Sequence, residues 1–320
     1  MDRNLALEFV RVTEAAALAS SRWMGKGEKN KADGAAVEMM RKTMNDIPFH
    51  GKIIIGEGEK DKAPMLYSGE KVGKNTSPNG HDIDLAVDPL ECTANLANGK
   101  PNAISVLAAG PEGSLLNAPG TYMDLIIVGK GAVGKIDFKF SIKENIERIA
   151  KALGKEVDEV TVCVLDRPRL GDIIKEIRGA GARIRLIDHG TIAGGVAAGI
   201  DNSGIDVVMG DSGAPETVIV AAAMKCLGGE VQARIKPHNE KTKQEAIEMG
   251  LELDKIYTTN DLAKGDDLLF VATGISDSPL LKGIVVNPDG ALTHSIIMKS
   301  KSGTIRNMST RHFFEGLPEY

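Results

Sequence analysis

Cysteine is sparse in this chain. There are three, Cys92, Cys163 and Cys226, far apart and with no C-x-x-C pair. That excludes a disulfide framework and a structural zinc site, and it points to a reducing cytoplasm. Basic residues are not in excess either: 39 Lys and Arg stand against 44 Asp and Glu, a formal net charge of -5. Without surplus cations to neutralise a phosphate backbone, no nucleic-acid partner is expected. No apolar run reaches membrane-spanning length without a charge, so no membrane partner is expected. The first residues, MDRNLALEFVRVTEAAALAS, mix acids with apolar groups and do not resemble a signal peptide. There is no internal repeat and no low-complexity tract. The G-K-S or G-K-T tripeptide of phosphate-binding loops is missing, and the six histidines are scattered, with no H-E-x-x-H or paired-ligand spacing.

What is present is an alternation of helix and strand patterns, the sign of an α/β or layered αβ protein. With 320 residues and 42% hydrophobic content the chain can bury a sizeable core. Two packed halves are expected, residues 1–155 and 156–320, with the junction in GKEVDE. Helices are predicted over 2–23 and from about Asp33 to Met44, the latter with Asp33 in the N-cap position and a buried face of Ala35, Ala36, Val37, Met39 and Met40. KIIIGEGE reads as a strand, Asn79-Gly80 as a turn, and AISVLAA, GSLLNA, DLIIVG and KIDFKF as a strand-rich middle, before a helix over 141–153. Three strand-loop-helix units come next, VTVCVLD then RPR, RIRLID then HGT, and IDVVMG then DSGAPE. Functional groups collect at the carboxyl ends of such strands.

Two motifs mislead. GKGAVG, 129–134, fits G-x-G-x-x-G, but the next residues, KIDFKF, alternate like a strand, whereas a dinucleotide site needs a helix N-terminus there. A glycine-rich hairpin turn is the better reading. GDSGAP, 210–215, resembles a serine-protease nucleophile loop, yet the histidine, aspartate and all-β frame that such a triad needs are missing.

The charged residues carry more. AVDPLECT, 86–93, ends an apolar strand with two carboxylates and a hydroxyl, and Pro89 stiffens the exit so that Asp88 and Glu91 can face one cavity. Asp33, Glu57, Glu59 and Glu216 also stand at element ends. Oxygen-rich clusters suit Mg²⁺ or Mn²⁺, and two such ions can hold a phosphoryl oxygen and lower the pKa of an attacking water. Any single acid is more often a solvated charge or a cap; it is the set that points to phosphate-ester hydrolysis. Thr93 either orients that water or caps the next helix, whose N–H groups suit a phosphate. Arg167 and Arg169, in DRPR, either grip a second phosphate or form surface ion pairs. Tyr122 either contacts a sugar or packs half-buried.

In these residues, and in GKGEKNKADGAAVEMMR, IIIGEGEKDKAPML, AVDPLECT, VCVLDRPR, GARIRLI, GAPE with AAAMKCLGG, FVATGISD and THSIIMKSKSGTIR, the chain resembles the class II fructose-1,6-bisphosphatases, lithium-sensitive metal-dependent sugar phosphatases. The match covers nearly its whole length. The resemblance implies a layered αβαβα architecture, a homodimer or homotetramer, a cytoplasmic location and a place in gluconeogenesis. It implies Asp33 and Glu57 as ligands of one Mn²⁺ or Mg²⁺ ion and Asp88, Glu91 and Glu216 around a second. Thr93, Asp61 and Lys29 would serve the reacting phosphate and its water. Glu91, Thr93, Tyr122, Arg167, Arg169, Gly190 and Gly213 would contact a sugar bisphosphate, with the arginines at the phosphate that is not cleaved.

Three departures from the family pattern stand out. Cys92 replaces a glycine in DPxEGT. His189-Gly190-Thr191 replaces Asp-Gly-Asp, a segment that holds sugar hydroxyls. Asp211-Ser212 replaces a small apolar residue and glycine. The expected activity is removal of the 1-phosphate of fructose-1,6-bisphosphate. The departures leave open sedoheptulose-1,7-bisphosphate or another sugar or polyol phosphate, and also a catalytically impaired sugar-phosphate-binding paralogue.

Overall fold

The computed structural model describes residues 5–57, 65–74 and 82–314. The expected turn at Asn79-Gly80, together with Glu59 and Asp61, lies outside them. The chain divides into two units, Met1–Leu115 with Asp266–Tyr320, and Leu116–Gly265.

In the first unit, α1 (Leu5–Ser21) buries Phe9, Val10, Val12, Ala16 and Ala17, as the apolar spacing dictates. Helix α2 (Lys29–Asn45) begins one turn earlier than the sequence suggests, after Glu28, whose side chain makes no capping bond. Its buried stripe already includes Ala32, one turn before Ala36, Met40 and Met44. Asp33 is therefore an interior helical residue and not the N-cap. Strands β1 (Gly51–Ile55), β2 (Lys71–Val72) and β3 (Ile83–Glu91) come next, then α3 (Thr93–Ala97) and β4 (Ile104–Pro111). Strand β3 runs parallel to β1 and antiparallel to β4. The core here joins Phe9 and Met40 to Ile53, Leu85 and Leu107.

The second unit holds β5 (Tyr122–Val128), α4 (Ile142–Leu153), β6 (Thr161–Leu165), α5 (Gly171–Ala180), β7 (Arg183–Ile187) and α6 (Thr191–Ala197). It continues with β8 (Val207–Gly213), α7 (Ala214–Leu227), β9 (Glu230–Lys236), α8 (Glu240–Glu248), β10 (Ile256–Thr258) and α9 (Thr259–Leu262). Its sheet has the order β10-β9-β5-β8-β6-β7. Because β5 sits between β8 and β9, the expected junction at GKEVDE falls inside this unit: strands from both sides of it are hydrogen-bonded in one sheet. GSLLNA and KIDFKF form no strands. After Gly129 the chain makes a single 3₁₀ turn, Lys130–Ala132, with no helix to receive a pyrophosphate. Residues 137–141 are held instead by buried Asn145. Its amide oxygen accepts from the Asp137 N–H at 2.9 Å, and its amide nitrogen reaches the carbonyls of Asp137, Phe140 and Ser141 at 3.0, 3.3 and 3.1 Å. DSGAPE is not a loop either. Asp211, Ser212 and Gly213 continue β8, paired with Asp124, Met123 and Tyr122, and α7 starts at the next residue.

The chain returns to the first unit with β11 (Leu269–Gly274), β12 (Val285–Asn287), β13 (Gly290–Lys299) and β14 (Thr304–Phe313). These complete an eight-stranded sheet among the described residues, β12-β13-β11-β4-β3-β1-β2 with β14 on β13. Hydroxyls tie α1 to it: Thr13 to Thr273 at 2.8 Å, Thr273 to Ser295 at 2.8 Å, and Thr293 donating to Glu14 at 2.9 Å. Each unit thus shows the expected layered class, helices on a mixed sheet. Among the described residues no helix is long and apolar enough to cross a membrane.

Candidate active site

In the first unit the decisive feature lies in β3. Asp88 pairs with Val106 and Glu91 with Ile104, so three steps on β3 match two on β4. That is a β-bulge, and Pro89, which has no N–H to give to a ladder, lies within it. In a regular strand residues three apart face opposite sides. The extra residue restores both carboxylates to one face, while Leu90 joins Val87 in the core. Glu57 lies just after β1, whose Ile55 is level with Ala86; Glu57 stands two residues beyond Ile55, and Asp88 two beyond Ala86.

Asp33 and Thr93, distant in sequence, come near enough for the Thr93 hydroxyl to influence the Asp33 carboxyl. Burial pushes the Asp33 carboxyl above its usual value, against the nearby Lys29 ammonium and the Thr93 hydroxyl, which pull it down. Thr93 Oγ1 also lies 3.2 Å from the Leu90 carbonyl oxygen. Asp88 Oδ1 accepts from the Leu90 N–H at 3.1 Å. Cys92 precedes Thr93 at the N-cap of α3 with φ 69° and ψ 42°, a left-handed backbone that explains the glycine in the family pattern. Lys29, Asp33, Glu57, Asp88, Glu91 and Thr93 thus lie on or beside β1, α2, β3 and α3 of one unit; Asp61 lies outside the described residues.

The second unit gathers the other predicted contacts. Arg169 donates to both carboxylate oxygens of buried Asp211, 2.8 Å each from Nε and Nη2, and its guanidinium lies 4.7 Å over the Tyr122 ring. Hydrogen bonding to Asp211 holds Arg169 above its usual pKa. Lys236, cross-strand from Tyr122, donates to Asp124 at 2.7 Å and Asp211 at 3.4 Å. Burial lowers its pKa, but the two carboxylates outweigh that and raise it. The extra acid at position 211 is therefore neutralised by cations within its own unit. Arg167 Nη2 lies 3.2 Å from Nδ1 and 3.3 Å from Nε2 of His189, and Ser212 Oγ donates to Thr191 Oγ1 at 2.8 Å. Two of the departures from the family pattern are thus bonded to each other. Gly190, at φ 99°, turns the chain into α6, a conformation suited to glycine. A side chain on Gly213 would meet Glu216 Oε2 at 1.9 Å, so the bare backbone lets that carboxylate fold back over it. Burial pushes the Glu216 carboxyl up, partly offset by its own backbone N–H.

Asp124, Lys236 and His238, whose ring meets that of Tyr122 at 5.4 Å, were not singled out from the sequence. The signal was the alternation in EVQARIK, which puts Arg234 and Lys236 on one face of β9. Cys163 is no nucleophile: burial drives its thiol up to about 12.

The all-oxygen donor set fits a hard cation. Burial works against the charged forms of Asp33 and of Glu216, and a divalent cation bound at either one would favour its carboxylate. As the side chains stand, no three His, Cys, Asp or Glu among the described residues gather around a common point.

The sequence profile described as "Bacterial fructose-1,6-bisphosphatase, glpX-encoded" matches residues 3–312. The chain belongs to that family. Its members are phosphoric monoester hydrolases, in general metal-dependent. Curated members include the fructose-1,6-bisphosphatase class 2 of Haemophilus influenzae, 43% identical over 99% of this chain and 98% of that protein. The D-fructose 1,6-bisphosphatase class 2/sedoheptulose 1,7-bisphosphatase of a Synechococcus strain is 41% identical over 99% of this chain and 97% of its own length. Among solved structures, an extragenic suppressor from Pyrococcus furiosus aligns at 14% identity and a TM-score of 0.30, over 60% of this chain and 68% of that one, too slight a likeness to inform the fold.

Proposed function

We propose that this member of the fructose-1,6-bisphosphatase family removes the 1-phosphate of fructose-1,6-bisphosphate by direct attack of water, without a covalent intermediate. The observation that carries the reading is the bulge in β3, which sets Asp88 and Glu91 on one face immediately before Thr93, so that two candidate metal ligands stand beside a candidate water-orienting hydroxyl. Asp33 and Glu57 are assigned to one Mn²⁺ or Mg²⁺, and Asp88, Glu91 and Glu216 to a second. When bound, the ions would supply Lewis acidity to the phosphoryl oxygens and a lowered pKa to the water. Thr93 Oγ1, which donates its proton to the Leu90 carbonyl, offers its lone pairs to the water, with Asp61 as the proton acceptor and Lys29 a cation for the reacting phosphate. Arg167 and Arg169 present forked donors to the other phosphate, Tyr122 backs Arg169, and the backbones of Gly190 and Gly213 admit the sugar closely.

We assign the reaction to the cytoplasm and to gluconeogenesis, in a homodimer or homotetramer. The test is phosphate release from fructose-1,6-bisphosphate with Mg²⁺ or Mn²⁺, abolished by chelator and restored by either ion. Thr93→Ala is expected to lower kcat by about 10²-fold with KM little changed, the size of a lost proton-handling group. No release from folded, metal-loaded protein would refute the reading.

A second substrate, sedoheptulose-1,7-bisphosphate, is favoured by one observation. Where the family pattern has acceptor carboxylates, this chain has the Ser212–Thr191 hydroxyl pair and a His189 imidazole within reach of Arg167, a different donor and acceptor set. Relative kcat/KM for the two sugars decides; a strong preference for fructose-1,6-bisphosphate removes this reading.

A further inference from the structure

Within the second unit, a cavity of about 280 Å³ opens between the sheet, the 138–142 segment and α5. Its walls include Phe138, Phe140, Ile173 and Met209, and its rim carries Asp124, Arg234 and Lys236. The alternating apolar groups of KIDFKF, which build no strand, supply this aromatic wall. The segment is fixed from behind, because Asn145 is 2% exposed and spends its amide on the backbone of residues 137–141. Arg148 covers Phe140 at 4.4 Å, so the wall is preformed, as ligand pockets usually are.

The rim is electrically unbalanced. Asp124 is shared by Lys236 at 2.7 Å and by Arg234 at 3.6 Å, the latter beyond hydrogen-bond range. Arg234 also stacks on Phe138 at 5.5 Å, and its side chain is 47% exposed. It is the cation with donors still to give, since a guanidinium carries five N–H groups. Lys236 is committed in two directions, to Asp124 and to Asp211, and Asp211 is the carboxylate that grips Arg169.

We propose that this cavity is an effector site for a small molecule with a flat apolar ring system and one anionic group, and that its occupancy weakens substrate binding through Lys236, Asp211 and Arg169. The ring fills the space beside Phe138, Phe140 and Ile173, while the anion takes Arg234 and draws Lys236 toward itself. Asp211 then keeps Arg169 as its chief partner and holds it harder, so Arg169 is less available to a substrate phosphate. KM rises and kcat stays. The second half of the proposal rests on the reading of Arg169 as a substrate contact; the first half does not.

The test uses 2-naphthoate as the probe, 2-naphthamide as its uncharged control, and the full-length protein in calorimetric titration. One naphthoate per chain is expected to bind, with 2-naphthamide, Arg234→Gln and Ile173→Trp each weakening binding at least tenfold, about the loss of one charge-assisted contact or of the space. Thermal unfolding checks that both variants are folded. Ile173→Trp should leave phosphate release without probe within about twofold, since Ile173 is assigned to neither substrate nor metal and is only partly buried, where a single substitution is usually mild. Saturating naphthoate should raise KM for the sugar bisphosphate severalfold in the unmodified protein and not in Ile173→Trp. Failure of naphthoate to bind, or binding that survives both variants, overturns the site; so does a mouth sealed by a second copy, seen as variants that change the sedimentation coefficient while naphthoate fails to bind. Binding with no change in KM overturns the link to Arg169. If the protein releases no phosphate at all, the catalytic reading fails and the titration still decides the site.

Discussion

Cys92 is one residue whose backbone and chemistry pull in different directions. Its left-handed conformation costs an L side chain on the order of 1 kcal/mol, while its thiol is buried in the core around Leu90 and Leu96. Comparing Cys92→Gly with Cys92→Ala isolates the backbone part, because both remove the sulfur. The glycine variant should be the more stable of the two by about 1 kcal/mol in urea unfolding. An alanine variant of equal or greater stability would mean that the backbone is not left-handed in solution. The position of Cys92 next to Thr93 was plain in the sequence, but its dihedral angles were not, since they are set by how β3 hands over to α3.

At the level of elements, the bulge in β3 does what neither Asp88 nor Glu91 can do alone. Matching the extra residue with one inserted in β4, between Ser105 and Val106, would give three steps on each strand, restore regular pairing and turn Glu91 toward the helix-packed side. Phosphate release should fall by more than about 10²-fold, as for loss of a metal-holding group, while helical circular dichroism and cooperative unfolding persist. An insertion variant with ordinary turnover would show that the shared face is unimportant. DPLE announced two carboxylates and a proline. It did not announce a bulge, because a bulge is a relation between β3 and a partner strand. Strand β8 shows the same limit. DSGAPE has the composition of a loop, yet Asp211 to Gly213 are drawn into the ladder by β5.

For the molecule as a whole, acid sensitivity has one clear contributor. Burial works against the charge on Asp261, but Lys255, at 2.8 Å, and the hydroxyl and N–H of Thr258, at 2.6 and 2.8 Å, hold its carboxyl at about 2. A depressed carboxyl pKa stabilises the fold above the usual carboxylate value, and the stabilisation is lost as pH falls through that value toward about 2. The amount is at most about 2 kcal/mol, from a shift of roughly two units. Asp261→Asn should therefore be less stable than the parent protein at pH 6 in chemical denaturation, with the gap closing between about pH 4 and pH 2. A gap independent of pH would assign the loss to packing.

The sequence by itself determined the chemistry on offer: oxygen donors at element ends, the DPLECT strand exit, the DRPR cations, and the alternation of helices and strands. Those properties come from residue type and local period, which each stretch carries within itself. Only the tertiary structure decided which groups meet. It placed Asp33 on an interior helical turn against Thr93, put Asp88 and Glu91 on one face through an extra residue, and gave Asp211 to Arg169 and Lys236. It also set the boundary of the second unit at Leu116 and Gly265 by threading β5 between strands that come long after it. Each of these depends on a partner remote in sequence, and sheet pairing and burial choose that partner.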